Sequence, residues 1–244
     1  MNIELRRDLE QRLLEYVKDY HIPLTENQAR LMVAHLDLVI DKNKVVNLTR
    51  ITEPAEGLVL HCLDSLMPLA FISSQIGSQD VVLDVGTGAG FPGIPLAILF
   101  PETGFTLCDS VGKKTIVAEA VASSLALDNV KVVNARAESL DETFDFVVSR
   151  AVTALDNFYP WAAGKYRKSI LYLKGGDFSE ELCRMMAAAR LAPGSVRTWK
   201  IQDWIDDGMF EDKFVIDIPA SSASQKGSRD SGKRAPSASS GNSC

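Results

Sequence analysis

Residues 81–93 read Val-Val-Leu-Asp-Val-Gly-Thr-Gly-Ala-Gly-Phe-Pro-Gly, an apolar run crossed by one acid, Asp84, and closed by a glycine-rich turn. Val81 to Val85 has the length and β-branched content of a buried strand. Gly86, Gly88 and Gly90 let the backbone turn tightly and approach a ligand closely. Together they form the nucleoside-binding corner of an open α/β sheet. Residues 88–93 also satisfy the dinucleotide pattern GxGxxG, and Asp109 follows at the ~20-residue spacing of a ribose-binding acid. Two features favour a different adenine nucleoside. Pro92 and Pro95 crowd the start of the helix that would have to face a pyrophosphate. Asp84, at the strand's end beside the first glycine, suits a cationic, amine-bearing ligand better than a dianion. S-adenosylmethionine, with its sulfonium and ammonium groups, answers that description, and an NAD-dependent oxidoreductase is the competing reading.

Outward from this corner the pattern alternates. Phe105–Cys108, Val130–Val133, Phe144–Ser149 and Ser169–Leu173 are candidate strands, separated by helical stretches near Lys113–Leu127, Leu155–Tyr166 and Ser179–Ala189. Such alternation predicts an α/β fold with a parallel sheet covered on both faces. Val196–Ile201 and Lys213–Ile218 predict a closing antiparallel hairpin. Upstream, Leu5–Tyr20 carries apolar residues at helical spacing, a second helix is capped by Thr25 with Gln28 behind it, and a third covers Ala55–Ile72. The expected organisation is an N-terminal helical extension over residues 1–75, packed on the core, a cofactor-binding domain over 76–219, and a Ser/Lys-rich disordered tail over 220–244.

The 244 residues are 46% hydrophobic and 24% charged, ordinary for a globular protein, and hold no apolar run long enough to span a bilayer. The N-terminal residues lack a secretory signal, which predicts a cytoplasmic protein with no membrane partner. Cys62, Cys108, Cys183 and Cys244 form no CxxC pair, and His21, His35 and His61 show no ligand spacing. The cysteines are read as reduced and no metal is expected. The formal charge of −6 argues against a general nucleic-acid binder, but Lys226, Arg229, Lys233 and Arg234 make the tail basic, compatible with a selective RNA substrate.

In an open α/β sheet the ligand lies beyond the carboxyl ends of the strands, so the residues there are the site candidates. Asp109 is placed to accept from ribose hydroxyls, or else to cap the helix beginning at Val111. Glu138 can accept from an adenine amino group or cap a short turn. Arg150 ends an apolar strand and needs an anionic partner, for which a cofactor carboxylate or an RNA phosphate would serve. Lys113 and Lys114 can meet phosphate or remain solvated, and Asn47 and Thr49 can bind substrate or hold their own loop. His61 can be a buried helix histidine hydrogen-bonded near Asp64, or an RNA contact.

With those positions in view, the chain resembles the glucose-inhibited division protein B family, the small-subunit ribosomal RNA methyltransferases G. The resemblance rests on Asn43-Lys44-Val45-Val46-Asn47-Leu48-Thr49, His61-Cys62-Leu63-Asp64-Ser65, the segment from Asp84 to Leu96, Asp109-Ser110 with Lys113-Lys114, Arg136-Ala137-Glu138 and Ser149-Arg150-Ala151, all in family order. It implies a Rossmann-like class I methyltransferase with a mostly parallel seven-stranded sheet and an N-terminal helical extension. It implies that the enzyme methylates N7 of one guanine in 16S rRNA, near the decoding centre, as naked rRNA or in the small ribosomal subunit; a monomer is expected. Carried over by motif, Gly86, Gly88, Gly90 and Phe91 contact the cofactor, Asp109 fits the fold's ribose position, Ala137 and Glu138 hold the adenosine portion, and Arg150 closes the site. Asn47, Arg50, His61, Lys113 and Lys114 are the RNA-binding candidates. Guanine N7 carries a lone pair and no proton, so no general base and no catalytic His or Cys is expected, and positioning dominates. A non-catalytic, cofactor-sensing RNA-binding protein would present the same binding residues. The chain departs from the family pattern at its end, where Phe214-Val215-Ile216-Asp217-Ile218 leads into the serine-rich tail in place of a basic strand end.

Overall fold

The computed structural model describes residues 1–20, 22–68 and 76–220. Seven strands form one sheet: β1 (Val81–Val85), β2 (Gly104–Asp109), β3 (Val130–Asn134), β4 (Phe144–Arg150), β5 (Tyr166–Gly175), β6 (Arg197–Lys200) and β7 (Lys213–Pro219), in the order β3-β2-β1-β4-β5-β7-β6. The first five are parallel, and β7 runs antiparallel between β5 and β6. The order reverses at β1, whose neighbours are β2 and β4, so the crevice expected at such a switch point opens at the glycine turn.

Strand alternation divides the core into two faces. Val82 of β1 points with Phe105, Phe146 and Leu171 toward one layer, while Leu83 and Val85 join Val147, Ile170 and Tyr172 on the other. The second face is covered by α6 (Leu155–Ala162) and α7 (Ser179–Ala189). The first is covered by α4 (Gly93–Leu99) and α5 (Gly112–Ser124), and the N-terminal helices close over them. α1 (Ile3–Asp19) buries Leu9, Leu13 and Val17, a spacing of one turn that lines up one apolar stripe. α2 (Glu26–Asn43) begins with a reciprocal capping box in which Thr25 and Gln28 satisfy each other's backbone amides. The apolar residues of α1 and α2 share one continuous core with the sheet, so the N-terminal layer has no core of its own.

Several sequence boundaries shift. The helix expected over 55–72 is α3 (Pro54–Gly57) running into a π-helical turn, Leu58–Leu63, and residues 69–75 lie outside the described residues. Such widened turns concentrate at functional sites, and this one carries His61. The helix expected over 155–166 stops at Ala162, because Gly164 takes a left-handed φ of 76° and Tyr166 already starts β5. Cys62 and Cys108 are buried free thiols, but Cys183, read as reduced, is disulfide-bonded. The tail from residue 221 onward lies outside the described residues. Among those described, no helix is long and apolar enough to cross a membrane, and no His/Cys/Asp/Glu group is arranged to hold a metal.

Candidate functional site

The glycine turn is fastened to β2 by its own backbone. The amides of Gly86 and Thr87 donate to the Cys108 carbonyl at 2.8 and 3.1 Å, and the Gly88 amide donates to Asp109 Oδ2 at 3.1 Å. Asp109 Oδ1 accepts from Val111 N at 2.9 Å, so this carboxylate ties the turn to the start of α5. Gly86, with φ 72°, has no room for a side chain, since a Cβ there would sit 2.4 Å from Val152. At Gly88, φ 58°, a Cβ would meet only the Gly86 carbonyl at 4.0 Å and would otherwise project into open space. That space is a cleft of ≈ 390 Å³ lined by the turn, by Asp109 and Lys114, by Ala137 and Glu138, by Arg150, and by Leu48, Thr49 and His61 from the N-terminal layer.

The arrangement fits S-adenosylmethionine. A side-chain-free backbone at Gly88 faces the cleft floor, a carboxylate stands at the end of β2 where a ribose diol would be accepted, and exposed Glu138 rims the far wall. It does not fit a dinucleotide. The first amide of α4, Gly93 N, donates to Asp84 Oδ2 at 2.9 Å, and the neighbouring Pro92 and Pro95 have no amide to offer, so this helix start presents no pyrophosphate cradle. The same bond corrects the reading of Asp84. The carboxylate is 0% exposed and lies beneath the turn, not in the cleft, and burial raises its pKa to about 7 against the opposing pull of Thr87 and Gly93. It orders the turn and touches no ligand.

The other end of the cleft is a polar network. Arg150 donates to the Leu60 carbonyl at 2.8 Å, to Asp64 Oδ2 at 3.1 Å and to His61 Nδ1 at 3.0 Å. Lys213 meets the second oxygen of Asp64 at 3.0 Å. Asp64 of the same chain is thus one anionic partner of Arg150, which also lines the cleft. His61 is buried, its ring stacks with Phe91, and its Nε2 lies 2.9 Å from Thr49 Oγ1. Both ring nitrogens are engaged inside the protein, the partners that the internal-histidine reading requires. Burial, then the Arg150 charge, lowers its pKa to about 3, so the ring is neutral. Phe91 also stacks with His35 and carries the Arg150 guanidinium 5.3 Å from its centroid, so it lines the cleft with its faces already covered.

Gly86, Gly88, Phe91, Asp109, Ala137, Glu138 and Arg150 thus meet around one cleft. Gly90 lies below it, where a Cβ would strike Ile94 at 2.4 Å. Lys114 lines the cleft, whereas Asn47, Arg50 and Lys113 are exposed outside its walls. Sequence reasoning missed His35, buried with Nε2 on the Ala89 carbonyl at 2.8 Å, and Lys213. It also passed over Asn43, whose Oδ1 accepts from Leu48 and Thr49 amides at 2.7 and 3.0 Å and whose Nδ2 donates to the Thr49 carbonyl at 2.9 Å. An Asn five residues before a Leu-Thr pair is a local signal that could have been read; His35 and Lys213 act across the fold and leave no such trace.

Comparison with known proteins agrees with this geometry. The family described as rRNA small subunit methyltransferase G matches residues 28–200. The Ribosomal RNA small subunit methyltransferase G of Christiangramia forsetii is 38% identical over 214 residues, 84% of this chain and 97% of that protein. Its counterpart in Cytophaga hutchinsonii is 35% identical over 218 residues, 85% of this chain and 100% of that protein. Among solved structures, an O-methyltransferase from Bacillus cereus in complex with SAH shares the fold at a TM-score of 0.56, with 18% identity, 84% of this chain and 96% of that one.

Proposed function

The chain belongs to the rRNA small subunit methyltransferase G family and is an S-adenosylmethionine-dependent rRNA methyltransferase; from that premise we propose that its acceptor is N7 of a single guanine in 16S rRNA near the decoding centre. The observation that carries this reading is the two-ended cleft, with Asp109 and Glu138 at one end and the neutral His61, Thr49 and Arg150 at the other. We read it as acting in the cytoplasm as one chain. Residues 1–75 serve as the layer that roofs the acceptor end, residues 76–219 as the methyltransferase body, and exposed Asn47, Arg50 and Lys113 as phosphate-facing or base-facing contacts around the rim.

Gly86, Gly88, Asp109, Ala137 and Glu138 would hold the cofactor, which when bound supplies an electrophilic methyl group. The protein's own residues do the rest by placement. Guanine N7 has no proton to lose, so the transfer needs no base, and His61 is committed by two hydrogen bonds. Holding nucleophile and electrophile at reacting distance is worth several orders of magnitude without any proton transfer. Asp64 is shared by Arg150 and Lys213 at the acceptor end and offsets part of their charge, which lessens its opposition to the positive charge that methylation places on the purine.

The test is transfer of labelled methyl from S-adenosylmethionine to small-subunit particles and to naked 16S rRNA, with the modified nucleotide identified by mass spectrometry. One N7-methylguanine is the expected result, and the faster substrate identifies the assembly stage. Modification of a different atom would overturn the proposed acceptor, and cofactor binding without transfer to either RNA would make the chain a sensor.

A further inference from the structure

Donor and acceptor accounting fixes one proton at the acceptor end of the cleft. A guanidinium only donates, so the Arg150 contact at 3.0 Å makes His61 Nδ1 the acceptor, and the neutral ring must carry its hydrogen on Nε2. Nε2 then donates to Thr49 Oγ1 at 2.9 Å. The Ile51 amide donates to the same oxygen at 3.1 Å. Both lone pairs of that hydroxyl are now filled, which leaves its own hydrogen a single open direction and no role except donor. No acceptor for it stands within hydrogen-bond distance among the described residues, and Thr49 lines the cleft. The loop carrying Thr49 is itself pinned by Asn43 through three hydrogen bonds, so the hydroxyl cannot readily swing to another partner.

We propose that Thr49 is a specificity-determining residue whose hydroxyl, locked as a donor by the Arg150–His61 relay, reads the carbonyl oxygen O6 beside the reacting N7 of the target purine. The inference rests on the guanine-N7 reading above and deepens it. Guanine presents two acceptors on that edge, N7 and O6; adenine presents N7 and an amino group, which is itself a donor. With N7 directed at the methyl group, O6 is the remaining acceptor, and a hydroxyl that can only donate accepts guanine and opposes adenine. A polar group built into a site to bond one substrate rejects the analogue that leaves it unpaired far more strongly than a shape difference does. His61 and Arg150 act through Thr49 and are positioning residues.

The experiment compares wild-type chain, Thr49→Val and Thr49→Ser on small subunits carrying either guanine or adenine at the acceptor position, with cofactor affinity measured separately by calorimetry. Thr49→Val should lower kcat/KM for guanine by about 10- to 100-fold, leave cofactor Kd within about twofold, and shrink the guanine-over-adenine ratio by at least about tenfold. Thr49→Ser should restore the ratio. A purely structural role in the loop would slow both substrates equally and leave the ratio unmoved, which would overturn the proposal. A loss confined to cofactor Kd would place the hydroxyl on the cofactor and overturn it as well. Failure of the wild-type chain to form N7-methylguanine would instead remove the acceptor reading and this inference with it.

Discussion

The two ends of the cleft are built by opposite means. At the cofactor end, backbone amides of a five-residue turn are held by the Cys108 carbonyl and by the Asp109 carboxylate 21 positions beyond Gly88, and the turn itself is short-range geometry. At the acceptor end, side chains do the work: Arg150 reaches back 86 positions to Asp64 and 89 to His61, and Lys213 closes the group from β7. The first end depends on backbone conformation and on the Asp109 carboxylate. The second depends on packed charges that are costly to leave alone, so damage there should appear as lost stability before it appears as lost affinity.

The sharpest way to break this contrast is Arg150→Ala. The guanidinium is largely buried and Asp64 almost entirely so, and removing the cation strands the carboxylate with only Lys213 and frees His61. We expect unfolding free energy to drop by about 3 kcal/mol, within the range for breaking a buried pair, measured from urea unfolding midpoints. A loss under about 1 kcal/mol would show that Lys213 alone supports Asp64 and that the network is not a structural unit. Gly86→Ala attacks the other end. Its Cβ would meet Val152 at 2.4 Å in a backbone already at φ 72°. The strain costs about 1–3 kcal/mol, and because the turn must shift to relieve it, calorimetry should show cofactor Kd raised by at least about tenfold. An alanine variant that binds cofactor normally would mean that the turn yields, contrary to the rigid end described.

A smaller and more selective change is Asp109→Asn. The amide keeps one acceptor oxygen, so one of the two backbone bonds from Gly88 and Val111 survives, while the charge that strengthens a bond to a ribose hydroxyl is gone. Cofactor Kd should rise about tenfold, which is about 1.4 kcal/mol, with the melting temperature nearly unchanged. A large fall in melting temperature without a change in Kd would reassign Asp109 to the helix-start role that sequence reasoning kept open.

How much could be read in advance follows the same division. The glycine turn, Asp109 and the strand ends were legible because each is a local pattern whose spacing sets its geometry, and the seven strands were found within a few residues of their observed limits. Asp84 misled for a physical reason. An acid at a strand's end beside a glycine turn can face the ligand or fold under the turn, and only the Gly93 amide, brought back by α4, decides between them. Arg150 was read correctly as needing an anion, but its partner caps a π-helical turn whose path the sequence of 55–72 does not reveal. His61, as a member of the same tertiary group, stayed open for the same reason.

The finest distinction within the site lies in how its buried groups titrate. Asp84, beneath the cofactor end, has its pKa raised by burial to about 7, so below its unfolded value it contributes a stabilisation that is lost as pH rises through about 7. His35, beneath the glycine turn, and His61, at the acceptor end, have theirs lowered by burial to about 4 and about 3, so their contribution is complete above the unfolded value of 6.5 and is lost as pH falls toward those values. Between pH 4 and pH 6.5 the two trends oppose each other, one carboxyl against two histidines, so the wild-type profile should be less steep than the histidines alone would make it. Asp84→Asn keeps an oxygen for the Gly93 amide and removes one side of the balance. Its stability should therefore fall more steeply than the wild type on acidification, by about 1 kcal/mol more between pH 7 and pH 5.5, read from urea midpoints across that range. Parallel profiles would mean that Asp84 is already ionised in the folded chain at neutral and mildly acidic pH, held so by Thr87 and Gly93, and the contrast between a carboxyl that resists charge and histidines that resist it would lose its first member.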